Sequence, residues 1–104
     1  MPRDSSTDAA RTGAVIAVHV PSPLRIYCDG AATLSVSATT VRAALDQLER
    51  CHPTLHRCVR DEAGAVRRHV NLFVNRDSVR DLAGQETALA DGDVLTILPA
   101  VSGG

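Results

Sequence analysis

The hydrophobic period changes twice along this chain, and that change restricts its possible folds more than any other feature. "AVIAVHV" (14–20) is a short β-branched run that reads as a buried strand ended by "PSP". "TLSVS" (33–37) alternates Leu34 and Val36 against polar neighbours, as a second strand does, with Asp29-Gly30 as a turn signal between the two runs. In "TTVRAALDQLERC" the spacing switches. Val41, Ala44, Leu45 and Leu48 recur at helical intervals, Thr39 stands where an N-cap is wanted, and Cys51 extends the apolar stripe. Pro53 ends the helix near His52. "HVNLFVN" (69–75) returns to period two, with Val70, Leu72 and Val74 on one face and Phe73 on the other. A turn at Asp91-Gly92 feeds a last strand over roughly 93–99. Two stretches lack a clear period. "TLHRCVRDEAGAVRR" predicts a short helical turn and a loose strand pair about "DEAG" (61–64), and "RDSVRDLAGQETAL" predicts irregular chain.

The order strand, strand, helix, strand, short elements, strand describes an α+β domain. A helix carried across the sheet between strands lets the first and last strands lie parallel, side by side, in its middle. That is the β-grasp, or ubiquitin-like, roll: a mixed sheet with one main helix packed on it. At 104 residues the chain accommodates one such domain. Residues 1–13 are polar and small and read as a disordered leader, 14–99 as the domain, and 100–104 as a flexible Gly-Gly tail.

Composition excludes several function classes. Aromatics are 2% of the chain, Tyr27 and Phe73 alone, so the core must be aliphatic and stacking platforms for single-stranded nucleic acid are missing. A net charge of -1 argues against a chain held to nucleic acid or membrane by counterion release. No run approaches the ~18 apolar residues of a membrane span. "MPRDSSTDAARTG" has no apolar signal region, which makes the cytoplasm the expected compartment. Three cysteines, Cys28, Cys51 and Cys58, are an odd count and favour reduced thiols.

Side-chain chemistry offers few sites. "CHPTLHRC" (51–58) contains zinc-ligand types, but the spacing fits no familiar finger and Pro53 interrupts the helix that would align His52 with His56. The expectation is no metal, with Cys51 in the core and the histidines at a helix end, where a cation is favoured. Cys28 and Cys58 sit in no nucleophile signature and read as small core residues. Arg57, Arg60, Arg67 and Arg68 flank the "DEAG" turn as a solvated surface or, alternatively, a docking patch for an acidic partner. Asp77, Asp81, Asp91 and Asp93 all fall in turn contexts and carry no expected catalysis.

The C-terminus is different. After the last strand the chain runs "AVSGG", and five extended residues reach roughly 17 Å. Gly-Gly lacks Cβ atoms and can enter a channel closed to any side chain. A C-terminal carboxylate is a poor acyl donor until ATP converts it to an acyl-adenylate, a mixed anhydride that sulfur or a thiol attacks.

"VNLFVNRDSVR", "ALADGDVLTILPAVSGG" and the element order resemble the ThiS/MoaD family of ubiquitin-like sulfur carriers over roughly residues 14–104. The branch they resemble most is the one serving cysteine biosynthesis. The resemblance implies an E1-like adenylyltransferase/sulfurtransferase as partner, which uses ATP on the C-terminus, and a sulfur-accepting synthase as second partner. The chain itself would bind no cofactor and would be a protein cosubstrate, monomeric when free, with no nucleic-acid or membrane partner. Gly104 would carry the thiocarboxylate and Gly103 would supply clearance. Pro99, Ala100, Val101 and Ser102 would form the stalk, and Phe73 a partner anchor on the sheet. Ser102 stands where Ala is common in such tails. Two alternatives use the same glycines: a ubiquitin-like protein modifier, and a small structural subunit of a molybdopterin-synthase-like complex. All 11 basic residues are Arg, so the chain cannot build lysine-linked chains of itself.

Overall fold

Among the described residues five strands form one mixed sheet in the order β2-β1-β5-β3-β4. They comprise β1 (Ala14–His19), β2 (Thr33–Ala38), β3 (Val70–Val74), β4 (Asp77–Ser78) and β5 (Val94–Pro99). The computed structural model describes residues 14–99, so the leader expected over 1–13 and the tail expected over 100–104 lie outside the described residues. β1 pairs antiparallel with β2 and parallel with β5, as the β-grasp order requires; β5 in turn pairs antiparallel with β3. First and last strands therefore meet in the middle of the sheet.

One face of that sheet is covered by α1 (Val41–Cys51) and α2 (Pro53–Val59). Ile16, Val18, Leu72, Leu95 and Ile97 point to the covered side and are at most 1% exposed. Val41, Ala44, Leu45 and Leu48 of α1 meet them, with Leu55 and Val59 added by α2. The core is wholly aliphatic apart from the buried Cys28 thiol, which donates a hydrogen bond to the Ala31 carbonyl oxygen at 3.4 Å. Fully burying each large aliphatic side chain contributes about 1.5–3 kcal/mol, so this one layer of contacts dominates stability.

Local structure differs from the sequence reading in five places, one of them the short strand β4 (Asp77–Ser78), which pairs with β3 inside a stretch expected to be irregular. The N-cap of α1 is Thr40 and not Thr39. The helix starts at Val41, so only Thr40 Oγ1 is placed to accept from the Ala43 N–H, at 3.1 Å. Pro53 does more than stop α1. It occupies the first turn of α2, where its missing N–H costs nothing, and His52 becomes the joint between the helices. Cys51 is exposed instead of lying in the core, because α1 ends there and Leu55 and Val59 supply the next apolar residues. A 3-10 helix spans Ser22–Cys28 in the β1–β2 connection, ending in a turn with Asp29 and Gly30 both at positive φ.

The turn at Asp91-Gly92 is tied directly to β1. Val15 N–H donates to Asp91 Oδ1 at 2.9 Å, and Gly92 N–H, from a residue at φ 89°, donates to the Val15 carbonyl. Asp93 accepts from the Ala90 N–H and from Asn75 Nδ2, while Asn75 Oδ1 accepts from the Val94 N–H. These bonds hold the Asp93 carboxyl below its ordinary pKa, the Ala90 N–H first and Asn75 second. Both aspartates thus hold the start of β5 in register.

Candidate functional site

The face of the sheet turned away from the helices carries the candidate interaction surface. Directly opposed residues share a face, so the pairs Phe73–Thr96, Asn71–Leu98 and Ala17–Val94 all lie on this side. Phe73 is half-buried there, flanked by Ser78 across the β3–β4 pair. Leu98 and Val15 are 44% and 41% exposed on the same side. The result is a face over β1, β5 and β3 that presents Val15, Val94, Leu98 and Phe73 beside Thr96 and Asn71, with no helix among the described residues packed against it.

Leu98 and Val15 escaped the sequence reading. "VLTILP" and "AVIAV" read as continuous apolar runs, and only the register shows which alternate residues face outward. Their one local signal is period two, which cannot by itself tell core side from open side.

Pro99, expected at the exit, is the last residue of β5 and lies opposite Val70 at the beginning of β3. Its lack of an N–H suits the end of a strand pairing. Ala100, Val101, Ser102, Gly103 and Gly104 lie outside the described residues. Leu98 on the open face immediately precedes Pro99, while Phe73 lies opposite Thr96, three residues before it, so the open face extends to the end of β5.

The remaining candidates separate cleanly. Among the described residues no three His, Cys, Asp or Glu side chains group as metal ligands. Both histidines sit at helix ends as expected, His52 as the cap between α1 and α2 and His56 in the last turn of α2. The cation role is corrected for His56: it is buried, and its Nε2 accepts from Arg60 Nε at 2.8 Å. An imidazole that accepts there is neutral at that nitrogen, and its pKa lies below 6.5. Burial is the main cause and the Arg60 charge adds to it, while Glu49 and Asp46 partly oppose it. Arg60 is equally misplaced in a solvated cluster. It is 5% exposed, donates to Gln85 Oε1 at 3.1 Å and pairs with Asp46 at 2.8 Å. Arg60 therefore ties α1, α2 and the 3-10 turn at Gly84–Glu86 together. Cys58 is half-buried, its thiol 3.6 Å from the Thr54 carbonyl oxygen. Among the described residues no base stands in hydrogen-bond contact with either Cys28 or Cys58.

No helix among the described residues is long and apolar enough to cross a membrane. The arrangement offers an open face that extends to the end of β5, and the described residues show no assembled nucleophile and base.

Comparison with known proteins bears on this arrangement. The model of the ThiS family matches residues 22–104, through the last glycine. The sulfur carrier protein CysO of Mycobacterium tuberculosis is 38% identical over 91 residues, covering 86% of this chain and 98% of that one. Among solved structures, the BexX/CysO complex of Amycolatopsis orientalis contains a chain that superposes with a TM-score of 0.79 at 35% identity, covering 86% of this chain and 99% of that one. The small archaeal modifier protein 1 of Methanosarcina acetivorans superposes with a TM-score of 0.78 at 30% identity, over 88% of this chain and 97% of that one.

Proposed function

The chain belongs to the ThiS family, and from that premise we propose that it is a sulfur carrier whose Gly104 carboxylate is the working group. ATP and an activating enzyme convert that carboxylate to an acyl-adenylate with release of pyrophosphate. A hydrosulfide-equivalent nucleophile then displaces AMP and leaves a thiocarboxylate. The thiocarboxylate donates its sulfur in biosynthesis to an acceptor held by a second protein. The chain turns over nothing itself; it is the cosubstrate.

The observation that supports this reading best is the likeness to CysO along nearly the whole of both chains. The family match also runs through residues 103 and 104, which the chemistry needs. Gly103 supplies clearance behind the reacting carboxylate, and the stretch from Pro99 to Ser102 acts as the stalk. The open face with Phe73, Leu98 and Val15 is the docking surface, and CysO of Amycolatopsis orientalis, found in complex with BexX, is the precedent for such a partner. The compartment in this reading is the cytoplasm.

Intact-mass measurement tests the proposal. The full chain is incubated with a ThiS-family activating enzyme, ATP and sulfide. Replacement of one terminal oxygen by sulfur is the expected product, and deletion of Gly104 abolishes it without changing the thermal midpoint. An unchanged mass with an enzyme that sulfurates another carrier in parallel, or full sulfur loading of the truncated chain, overturns the reading.

A second reading rests on the likeness to archaeal modifier proteins, which includes a 46% identical stretch of 43 residues in small archaeal modifier protein 3 of Haloferax volcanii. In that reading Gly104 is joined to amines of other proteins. Covalent adducts in the same mass spectrum distinguish it.

A further inference from the structure

β3 and β5 run antiparallel, with Val70 opposite Pro99, so the residues that lead into β3 stand beside the end of β5, to which residues 100–104 are joined. Those residues are Arg67, Arg68 and His69, and both Arg68 and His69 are exposed. Arg80 reaches the same corner from the chain beyond β4. Its Nη2 donates to the carbonyl oxygens of Arg67, Arg68 and Val70, at 3.3, 3.3 and 2.9 Å. Its Nη1 donates to Asn71 Oδ1, on the open face next to Leu98. The guanidinium is therefore clamped by four acceptors, yet the residue stays exposed and its Nε–H makes no hydrogen bond among the described residues. Among the described residues neither Arg68 nor Arg80 forms an ion pair.

We propose that Arg68, His69 and Arg80 form a basic collar at the root of the C-terminal segment, which recognises an acidic rim around the partner-protein site that receives this segment. The proposal rests on the reading of residues 100–104 as a segment delivered into a partner.

Three physical points favour it. Most surface arginines lose rotamer freedom when they bind, but Arg80 is already held, so less is lost per hydrogen bond formed. The collar continues the open face at Leu98, giving a partly apolar centre with a charged edge, as protein interfaces have. The carbonyl oxygens of Arg67, Arg68 and Val70 crowd the inner side of Arg80. They occupy its Nη2 donors, while the Nε–H makes no hydrogen bond among the described residues and can donate to a protein carboxylate. Charge at this position acts on association rate and partner choice more than on stability.

The test uses the full 15N-labelled chain and a hexaglutamate peptide, followed by NMR in about 20 mM and about 200 mM salt. Shifts are expected at Arg68, His69, Asn71 and the Arg80 side chain, with affinity falling about tenfold at the higher salt. Arg68→Glu, whose side chain makes no hydrogen bond among the described residues, should weaken binding about tenfold, while Arg50→Glu on the helical side leaves it unchanged. Shifts spread over all arginines, or unchanged binding by Arg68→Glu, overturn the collar. Inorganic phosphate acting at these residues at lower concentration than the peptide overturns the acidic-protein partner in favour of a small anion. No sulfur source or activating enzyme enters this experiment, so its failure is distinct from failure of the mass assay.

Discussion

Arg60 and His56 show how far a single residue's role depends on its neighbours. Adjacent to Arg57 and Arg67 in a basic stretch, Arg60 reads as surface, yet its guanidinium is buried against His56, Gln85 and Asp46. The arrangement has a consequence for pH. His56 has a folded pKa below its unfolded value of 6.5, so the unfolded chain binds more protons as pH falls through that range. The stability from neutral His56 is fully present above 6.5 and is lost as pH falls below it. Replacing it by Gln, which keeps an acceptor for Arg60 but cannot titrate, should flatten the dependence of the urea midpoint on pH between about 7 and about 5. An equally steep dependence in His56→Gln would assign the effect to other groups. The carboxyl of Asp93 acts in a separate window: its stabilisation holds above 3.8 and disappears as pH drops below that value.

At the scale of elements, α1 carries a clear signal and α2 a faint one. Val41, Ala44, Leu45 and Leu48 give α1 a full apolar stripe over 11 residues, whereas the 7-residue α2 contributes only Leu55 and Val59 to the core beside His56. Two apolar residues at a spacing of four do not distinguish a short helix from loop, so the sequence yields only a helical turn there. The cap of α1 is one residue from its expected place for a similar reason. Either Thr39 or Thr40 satisfies the local rule, and the choice follows from where the helix begins to pack. Thr40→Ala should cost about 1 kcal/mol in denaturant unfolding, and Thr39→Ala much less, because only Thr40 Oγ1 caps Ala43. Equal costs would show that the cap is shared.

For the whole molecule, the sheet has one face in the core and one left open among the described residues, and the proposed function uses the open one. Leu98→Ser on the open face should change stability by less than about 1 kcal/mol, since the side chain is 44% exposed, and should raise the KM for the activating enzyme about tenfold at constant kcat. A loss of stability without a change in KM would place Leu98 in the fold and not in the interface. The sequence by itself determined the order of the main elements and the turns at Asp29-Gly30 and Asp91-Gly92, while the parallel meeting of first and last strands, expected from that order, is made by residues some 77 positions apart. The order and the turns follow from local period and backbone preference, which neighbours along the chain decide. Only the tertiary structure decided which side of "VLTILP" faces solvent, that Arg60 is buried while Arg68 is exposed, and that Arg80 is clamped beside the strand to which the C-terminal segment is joined. Each depends on groups from separate elements meeting across a register, and no window of sequence contains both partners.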